Sequence, residues 1–152
     1  MADPPGSKKL GERILVTGAL GQIGTELVEA LRAKYGPDAV VASDLREMPD
    51  HPVVRSGPFR HLSVIDAEGF DSVVVEEGIA VVYHLAAILS ATGERLPELA
   101  ERINVGGMVT VLEAARKHGL RVYAPSSIAV FGPDAPDVPP QVTALNPTTV
   151  YG

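Results

Sequence analysis

The sequence predicts an α/β fold: a doubly wound, mostly parallel sheet of about five strands in the order 3-2-1-4-5. Three observations predict it. Short apolar runs alternate with segments of helical periodicity along the 152 residues. A glycine-rich turn, Thr17-Gly18-Ala19-Leu20-Gly21-Gln22-Ile23-Gly24, joins the first run to the first periodic segment. The residues able to do chemistry fall where such strands end, and the carboxyl edge of an open parallel sheet is where ligands bind. Right-handed crossovers between the strands then fix the winding.

Each element follows from local pattern. Arg13 to Thr17 is a short run suited to a strand buried on both faces. From Gln22 to Tyr35 the apolar residues Ile23, Leu27, Ala30, Leu31 and Tyr35 keep helical spacing, and Gly36-Pro37 stops them. Ala39 to Ser43 is a second strand, closed by Asp44. Residues 47–58, rich in Pro, His and Arg, read as a surface excursion. Phe59 to Leu62 is a short third strand. Asp66 caps a helix that runs to Glu77 and ends at Gly78. Ile79 to His84 is the fourth strand. Leu96, Leu99, Ala100, Ile103, Met108, Val111, Leu112 and Ala115 predict one face of a long helix ended by Gly119. Arg121 to Ala124 is the fifth strand, and the five prolines between Pro133 and Pro147 make a loop.

Composition narrows the function. The chain is 45% hydrophobic and 21% charged, as soluble globular proteins are. It has no cysteine, which excludes disulfides and thiolate metal sites and suits a reducing cytoplasm, the location expected. A net charge of −6 with scattered Lys and Arg argues against nucleic acid as the main partner. No apolar run reaches the roughly 18 residues of a membrane span, so no membrane partner is expected. No His, Asp or Glu cluster has metal-ligand spacing, so no metal is expected. The opening MADPPGSKK lacks the apolar core of a signal peptide. Residues 1–11 read as a disordered lead-in and 12–152 as one domain.

The glycine turn has the spacing G-x-x-G-x-x-G between a strand and a helix. Gly18 permits a tight turn, Gly21 lets backbone approach a pyrophosphate, and Gly24 lets the helix pack closely. Free amides and the positive end of the helix dipole would face the phosphates. The expected cofactor contacts here are Gly18, Leu20, Gly21, Gln22, Ile23 and Gly24. Asp44 stands twenty residues after Gly24, at the end of the second strand, with Leu45 beside it. A carboxylate there accepts hydrogen bonds from ribose hydroxyls and repels a 2′-phosphate, which favours NAD over NADP. Arg46 sits close by and softens that preference.

The stretches ILVTGALGQIGTELVEAL (14–31), VYHLAAILSATGE (82–94), INVGGMVTVLEAARKHGL (103–120), APSSIAVFGP (124–133) and PTTVYG (147–152) resemble the extended short-chain dehydrogenases, the group of nucleotide-sugar epimerases and dehydratases. GALGQIG with HLAAILSATGE is narrower and resembles the short-chain-type L-threonine 3-dehydrogenases. The resemblance implies a Rossmann-type fold. It also implies that His84, Leu85, Ala86 and Ala87 line the ribose and nicotinamide side of NAD, that Leu89 and Ser90 border a small-molecule substrate, and that Asn104 bonds backbone near the active site. Ser127 takes the place of the family's catalytic Ser or Thr, Ser126 lies next to it toward cofactor or substrate, and Tyr151 matches the tyrosine of Y-x-x-x-K. Many members have an Asp after the third strand. Here Ser63 stands there, and adenine recognition leans on backbone such as that of Val64.

The implied reaction oxidises a secondary alcohol, which for threonine gives 2-amino-3-oxobutanoate and NADH. A tyrosine base has an unperturbed pKa near 10 and needs a neighbouring positive charge to work near neutrality. The family supplies it with the lysine four positions on, but only Gly152 follows Tyr151 here. The expectation is a truncated domain, lacking the sixth strand and the substrate domain, that binds NAD without turning over. Its uncovered sheet face would make it self-associate or oligomerise. The alternatives are part of a nucleotide-sugar epimerase or dehydratase, and a non-catalytic NAD-binding module.

Overall fold

The computed structural model describes residues 12–152, and the expected lead-in at 1–11 lies outside the described residues. Strands Arg13–Thr17 (β1), Val40–Asp44 (β2), Phe59–His61 (β3), Ile79–His84 (β4) and Arg121–Tyr123 (β5) form one parallel sheet. Its order is β3-β2-β1-β4-β5, as predicted. The helices are Gln22–Tyr35 (α1), Pro52–Arg55 (α2), Ala67–Glu76 (α3), Ser90–Arg95 (α4), Pro97–Ala100 (α5) and Gly106–His118 (α6).

Side chains alternate across the strands and build two cores. Leu15, Val41 and Val82 face Phe70, Val73 and Val74 of α3 and Val111 and Ala114 of α6. Val16, Val40 and Ala42 face Val28 and Leu31 of α1 and Val53 of α2. With helices on both faces, the central strands must be apolar throughout, which is how they read in the sequence. α3 begins as expected, with the Gly69 amide donating to Asp66 Oδ1 at 3.0 Å.

Three local readings need correction. The excursion at 47–58 contains the one-turn α2. Pro52 starts it, where a missing N–H is harmless, and the His51 side chain accepts from the Val53 amide. On α1 the buried residues are Gly24, Val28, Leu31 and Arg32, whereas Ile23 is 68% exposed. Leu27, Leu31 and Tyr35 of the predicted face pack on the core, whereas at the first turn Gly24, seated on the preceding turn, faces inward in place of Ile23. The long helix is broken: α5 passes through a π turn at Glu101–Val105 into α6. A π turn inserts one residue, so side chains beyond it are rotated by about 100° from a continuous helical face. Beyond it Leu112 is therefore exposed and Ala114 buried, while Leu96 and Leu99, before the turn, are exposed where α4 gives way to the short α5.

Arg32 was not anticipated inside. Its guanidinium donates to the carbonyls of Val40, Val53 and Pro58 and to Ser56 Oγ. Burial pulls its pKa below the usual arginine value. This side chain clamps the 53–58 segment to the start of β2.

Candidate functional site

At the carboxyl edge of the sheet, Thr17 lies in register with Ser43 on one side and His84 on the other. This is the reversal point of the strand order, where β1 neighbours both β2 and β4 and a crevice opens. The glycine turn leaves β1 here. Gly18 has φ +65°, and a Cβ on it would come within 2.8 Å of the Ala86 amide nitrogen. A bare residue thus lets the turn and the β4–α4 loop lie against each other. A Cβ on Gly24 would collide with the Gly18 carbonyl oxygen and lie 2.8 Å from Ala19 Cα. Its partner is the turn itself, rather than the strand.

Several turn amides already have acceptors. Ala19 donates to the Ser43 carbonyl at 3.0 Å, and Gly21 to the Gly18 carbonyl at 3.1 Å. Leu20 donates to Asp44 Oδ2 at 3.0 Å. Among the described residues, the amides of Gln22, Ile23 and Gly24 at the α1 start meet no acceptor, and no side chain caps this helix. With the helix dipole behind them, these amides can receive an anion.

Asp44 is 7% exposed and sits on the turn. Besides the Leu20 amide, it accepts the Arg46 amide and Nε on Oδ1 and Arg46 Nη2 on Oδ2, each at 3.0 Å. Burial opposes ionisation. The bonds from Arg46 and Leu20 outweigh it and hold the carboxyl below the usual aspartate value. Leu45 follows, 59% exposed, and its carbonyl lies 2.8 Å from His61 Nε2. Ser63 is half-buried; its carbonyl accepts the Asp66 amide. Val64 is buried, and only a glycine at 107 leaves room for its methyl.

The other wall is the chain after β4. His84 is 4% exposed and turned inward, its Nδ1 2.9 Å from Thr17 Oγ1. Burial lowers its pKa, and Nε2 has no partner among the described residues. Thr17 Oγ1 also accepts the amides of Leu85 at 3.2 Å and Ala86 at 3.3 Å. Asn104, in the π turn, pins Ile88: Oδ1 accepts the Ile88 amide at 2.8 Å and Nδ2 donates to its carbonyl at 3.0 Å. Ala87, Leu89 and Ser90 around it are exposed.

Ser126 is exposed and Ser127 half-buried just past β5, and Ser127 Oγ accepts the Ala129 amide at 3.2 Å. The Tyr151 amide donates to Glu94 Oε1 of α4 at 3.3 Å, and Gly152 lies so close to the Ala129 carbonyl that a Cβ would collide. The structure thus brings Ser127, Tyr151 and α4 to one region. Thr17 was missed as a positioning residue. Its sign in the sequence is a hydroxyl ending an otherwise aliphatic strand immediately before the first glycine. Among the described residues no group of His, Asp and Glu side chains is placed to hold a metal, and no helix is long and apolar enough to cross a membrane.

Residues 14–152 match the model of the NAD dependent epimerase/dehydratase family. An uncharacterized epimerase/dehydratase of Staphylococcus saprophyticus is 46% identical over 142 residues, 93% of this chain and 44% of that protein. Among solved structures, a monomeric L-threonine 3-dehydrogenase from a metagenome database (apo form) is 51% identical, with TM-score 0.86 over 91% of this chain and 44% of that one. The L-threonine dehydrogenase of Clostridium difficile is 40% identical, with TM-score 0.90 over 95% of this chain and 46% of that one. The chain spans a little under half the length of the relatives it matches. The glycine turn, the carboxylate seated on it and the match over 14–152 agree: the chain belongs to the NAD dependent epimerase/dehydratase family.

Proposed function

We propose that these residues are the NAD-holding portion of an oxidoreductase that oxidises the secondary alcohol of L-threonine to 2-amino-3-oxobutanoate. The observation that carries the reading is the Leu20–Asp44 bond, which seats a buried carboxylate on the glycine turn beside the unpaired helix-start amides. The donor set fits a dinucleotide. Gln22 and Ile23 amides offer hydrogen bonds to a diphosphate, and Asp44 offers ribose hydroxyls the lone pairs that the exposed Arg46 side chain takes in their absence. The threonine substrate is supported by the two threonine dehydrogenases that resemble this chain. A cytoplasmic setting stays part of the proposal.

In this reading bound NAD supplies the hydride acceptor. Ser127 holds the substrate oxygen, Tyr151 takes the hydroxyl proton, and Leu89 and Ser90 border the substrate. Ser126, Ala87 and the backbone of His84, Leu85 and Ala86 line the cofactor, and Thr17 and Asn104 fix that wall. Tyr151 acts as base only beside a positive charge. The test is threonine-dependent NADH formation, measured on these 152 residues alone and on a chain continued to the length of its relatives. The proposal predicts turnover in the longer chain, its loss in Ser127→Ala and Tyr151→Phe, and none in the 152 residues. UDP-sugar conversion by the longer chain, with no response to threonine, would refute it.

A further inference from the structure

Two contacts fix the backbone at Tyr151. Its amide donates to Glu94 Oε1 at 3.3 Å, across 57 positions of sequence. Next to it, Gly152 abuts the turn at 128–130: a Cβ on Gly152 would collide with the Ala129 carbonyl oxygen and lie 2.6 Å from Pro147 Cβ. The Ala129 amide donates to Ser127 Oγ at 3.2 Å. One residue, Ala129, thus touches both Ser127 and the backbone beside Tyr151. The proline-rich loop returns to this place because it is pinched at its neck, where a Cβ on Gly132 would strike the Asn146 carbonyl oxygen. Thr149 Oγ1 accepts the Gly152 amide at 3.0 Å, three residues on, the relation by which a hydroxyl caps a helix start.

Glu94 belongs to α4 and stands four residues after Ser90. Residues four apart lie one above the other on a single helix face. The face that carries Ser90, which borders the substrate in the proposed reaction, therefore also carries the acceptor of the Tyr151 amide. The chain entering α4 is itself fixed, since Asn104 bonds both backbone groups of Ile88. Among the described residues no cation pairs with the Glu94 carboxylate, and the neighbouring Arg95 turns back to the Ala91 carbonyl. An exposed acid with no ion-pair partner ordinarily stays in water. Here it reaches a main-chain amide far along the chain, and a hydrogen bond to an ionised acceptor is roughly twice as strong as a neutral one.

We propose that Glu94 is a positioning residue: its carboxylate fixes the backbone of Tyr151, so that α4 sets the proton-accepting tyrosine and the substrate-side Ser90 as one unit. This rests on the reading of Tyr151 as the group that takes the hydroxyl proton. Glu94 acts through the Tyr151 amide rather than on substrate or cofactor. A positioning role requires an acceptor oxygen at that place, which glutamine also supplies. An electrostatic role would require the charge, which glutamine lacks. Rate is steeply sensitive to placement, since a shift of about 1 Å in a reacting group can cost on the order of a hundredfold.

The experiment compares Glu94→Ala and Glu94→Gln with the unaltered protein. In these 152 residues, amide exchange at Tyr151 is expected to accelerate about tenfold or more in Glu94→Ala, as a hydrogen bond to a charged group is lost, and to stay within about threefold in Glu94→Gln. In the chain continued to the length of its relatives, kcat for threonine-dependent NADH formation is expected to fall about tenfold or more in Glu94→Ala, with KM for NAD within about threefold, and Glu94→Gln to restore most of it. Exchange at Tyr151 or turnover unmoved by Glu94→Ala overturns the proposal. So does a Glu94→Gln enzyme as slow as Glu94→Ala, which would assign the effect to charge. A KM for NAD that rises in step with the loss of kcat marks a merely structural role and overturns it too. No threonine turnover by the unaltered longer chain removes the reading of Tyr151, and this proposal with it.

Discussion

The hydroxyl of Thr17 lies 2.9 Å from Nδ1 of His84 and accepts the amides of Leu85 and Ala86. A hydroxyl has one proton, and with both amides donating to it that proton goes to His84 Nδ1. The imidazole therefore carries its own proton on Nε2. One threonine thus joins the residue before the glycine turn to the loop that forms the opposite wall. Thr17→Val keeps the shape and leaves the Ala86 amide and Nδ1 short of a partner, while the Leu85 amide retains the carbonyl of residue 17 at 3.2 Å. It is predicted to cost about 1–3 kcal/mol of stability, and Thr17→Ser to recover most of that. Urea unfolding of the three proteins checks it.

His84 gives the fold a pH dependence of definite sign. Burial lowers its pKa in the folded chain, while an unfolded histidine titrates near 6.5. The unfolded state therefore binds the proton first as pH falls. The contribution is fully present above about pH 6.5 and is lost as pH drops toward the folded value. Denaturation midpoints are predicted to fall between pH 7.5 and 5.5, and His84→Gln to flatten that slope. An equal slope in the variant would refute the assignment.

Gly24→Ala places a methyl group against the Gly18 carbonyl and Ala19 Cα, both backbone. Nothing flexible can yield, so α1 must lift from the turn. Overpacking of this kind costs about 1–3 kcal/mol, more than the roughly 1 kcal/mol that alanine gains in helix propensity. Thermal unfolding is predicted to shift downward, and NAD affinity to fall with the displaced Gln22 and Ile23 amides.

Asn104→Ala strips both backbone partners from Ile88. Amide exchange at Ile88 and its neighbours is predicted to accelerate, with α3 unaffected. Asn104→Asp keeps the acceptor for the Ile88 amide and loses the donor, so its effect is expected to be smaller.

β5 is a sheet edge, and Tyr123, Ile128, Val138 and Val142 around and beyond it are exposed. An uncovered edge beside apolar side chains invites association. Light scattering over rising concentration is predicted to show an increasing mass; a constant monomer mass would count against it.

Much of this was legible in the sequence. Strands buried on both faces announced themselves as unbroken apolar runs, and Asp66 and Gly78 marked the ends of α3. The glycine spacing and Asp44 marked the candidate site, because a close backbone approach and a carboxylate at the end of β2 each demand a particular residue type. The rest depended on tertiary geometry. The π turn that hides Ala114 and exposes Leu112 leaves a helical pattern nearly intact. Arg32 reads as a surface cation, and only the carbonyls of Val40, Val53 and Pro58 around it explain its burial. The inward pairing of the Leu20 amide likewise depends on where β2 places Asp44.

One titration bears on all of this: NAD added calorimetrically to these residues and to Asp44→Ala. Saturable binding by the former, weakened about tenfold or more in the latter as charged hydrogen bonds to ribose are lost, is the expected result. Equal NAD affinity in both, or no binding by the unaltered protein, would show that the turn and its carboxylate do not hold a dinucleotide.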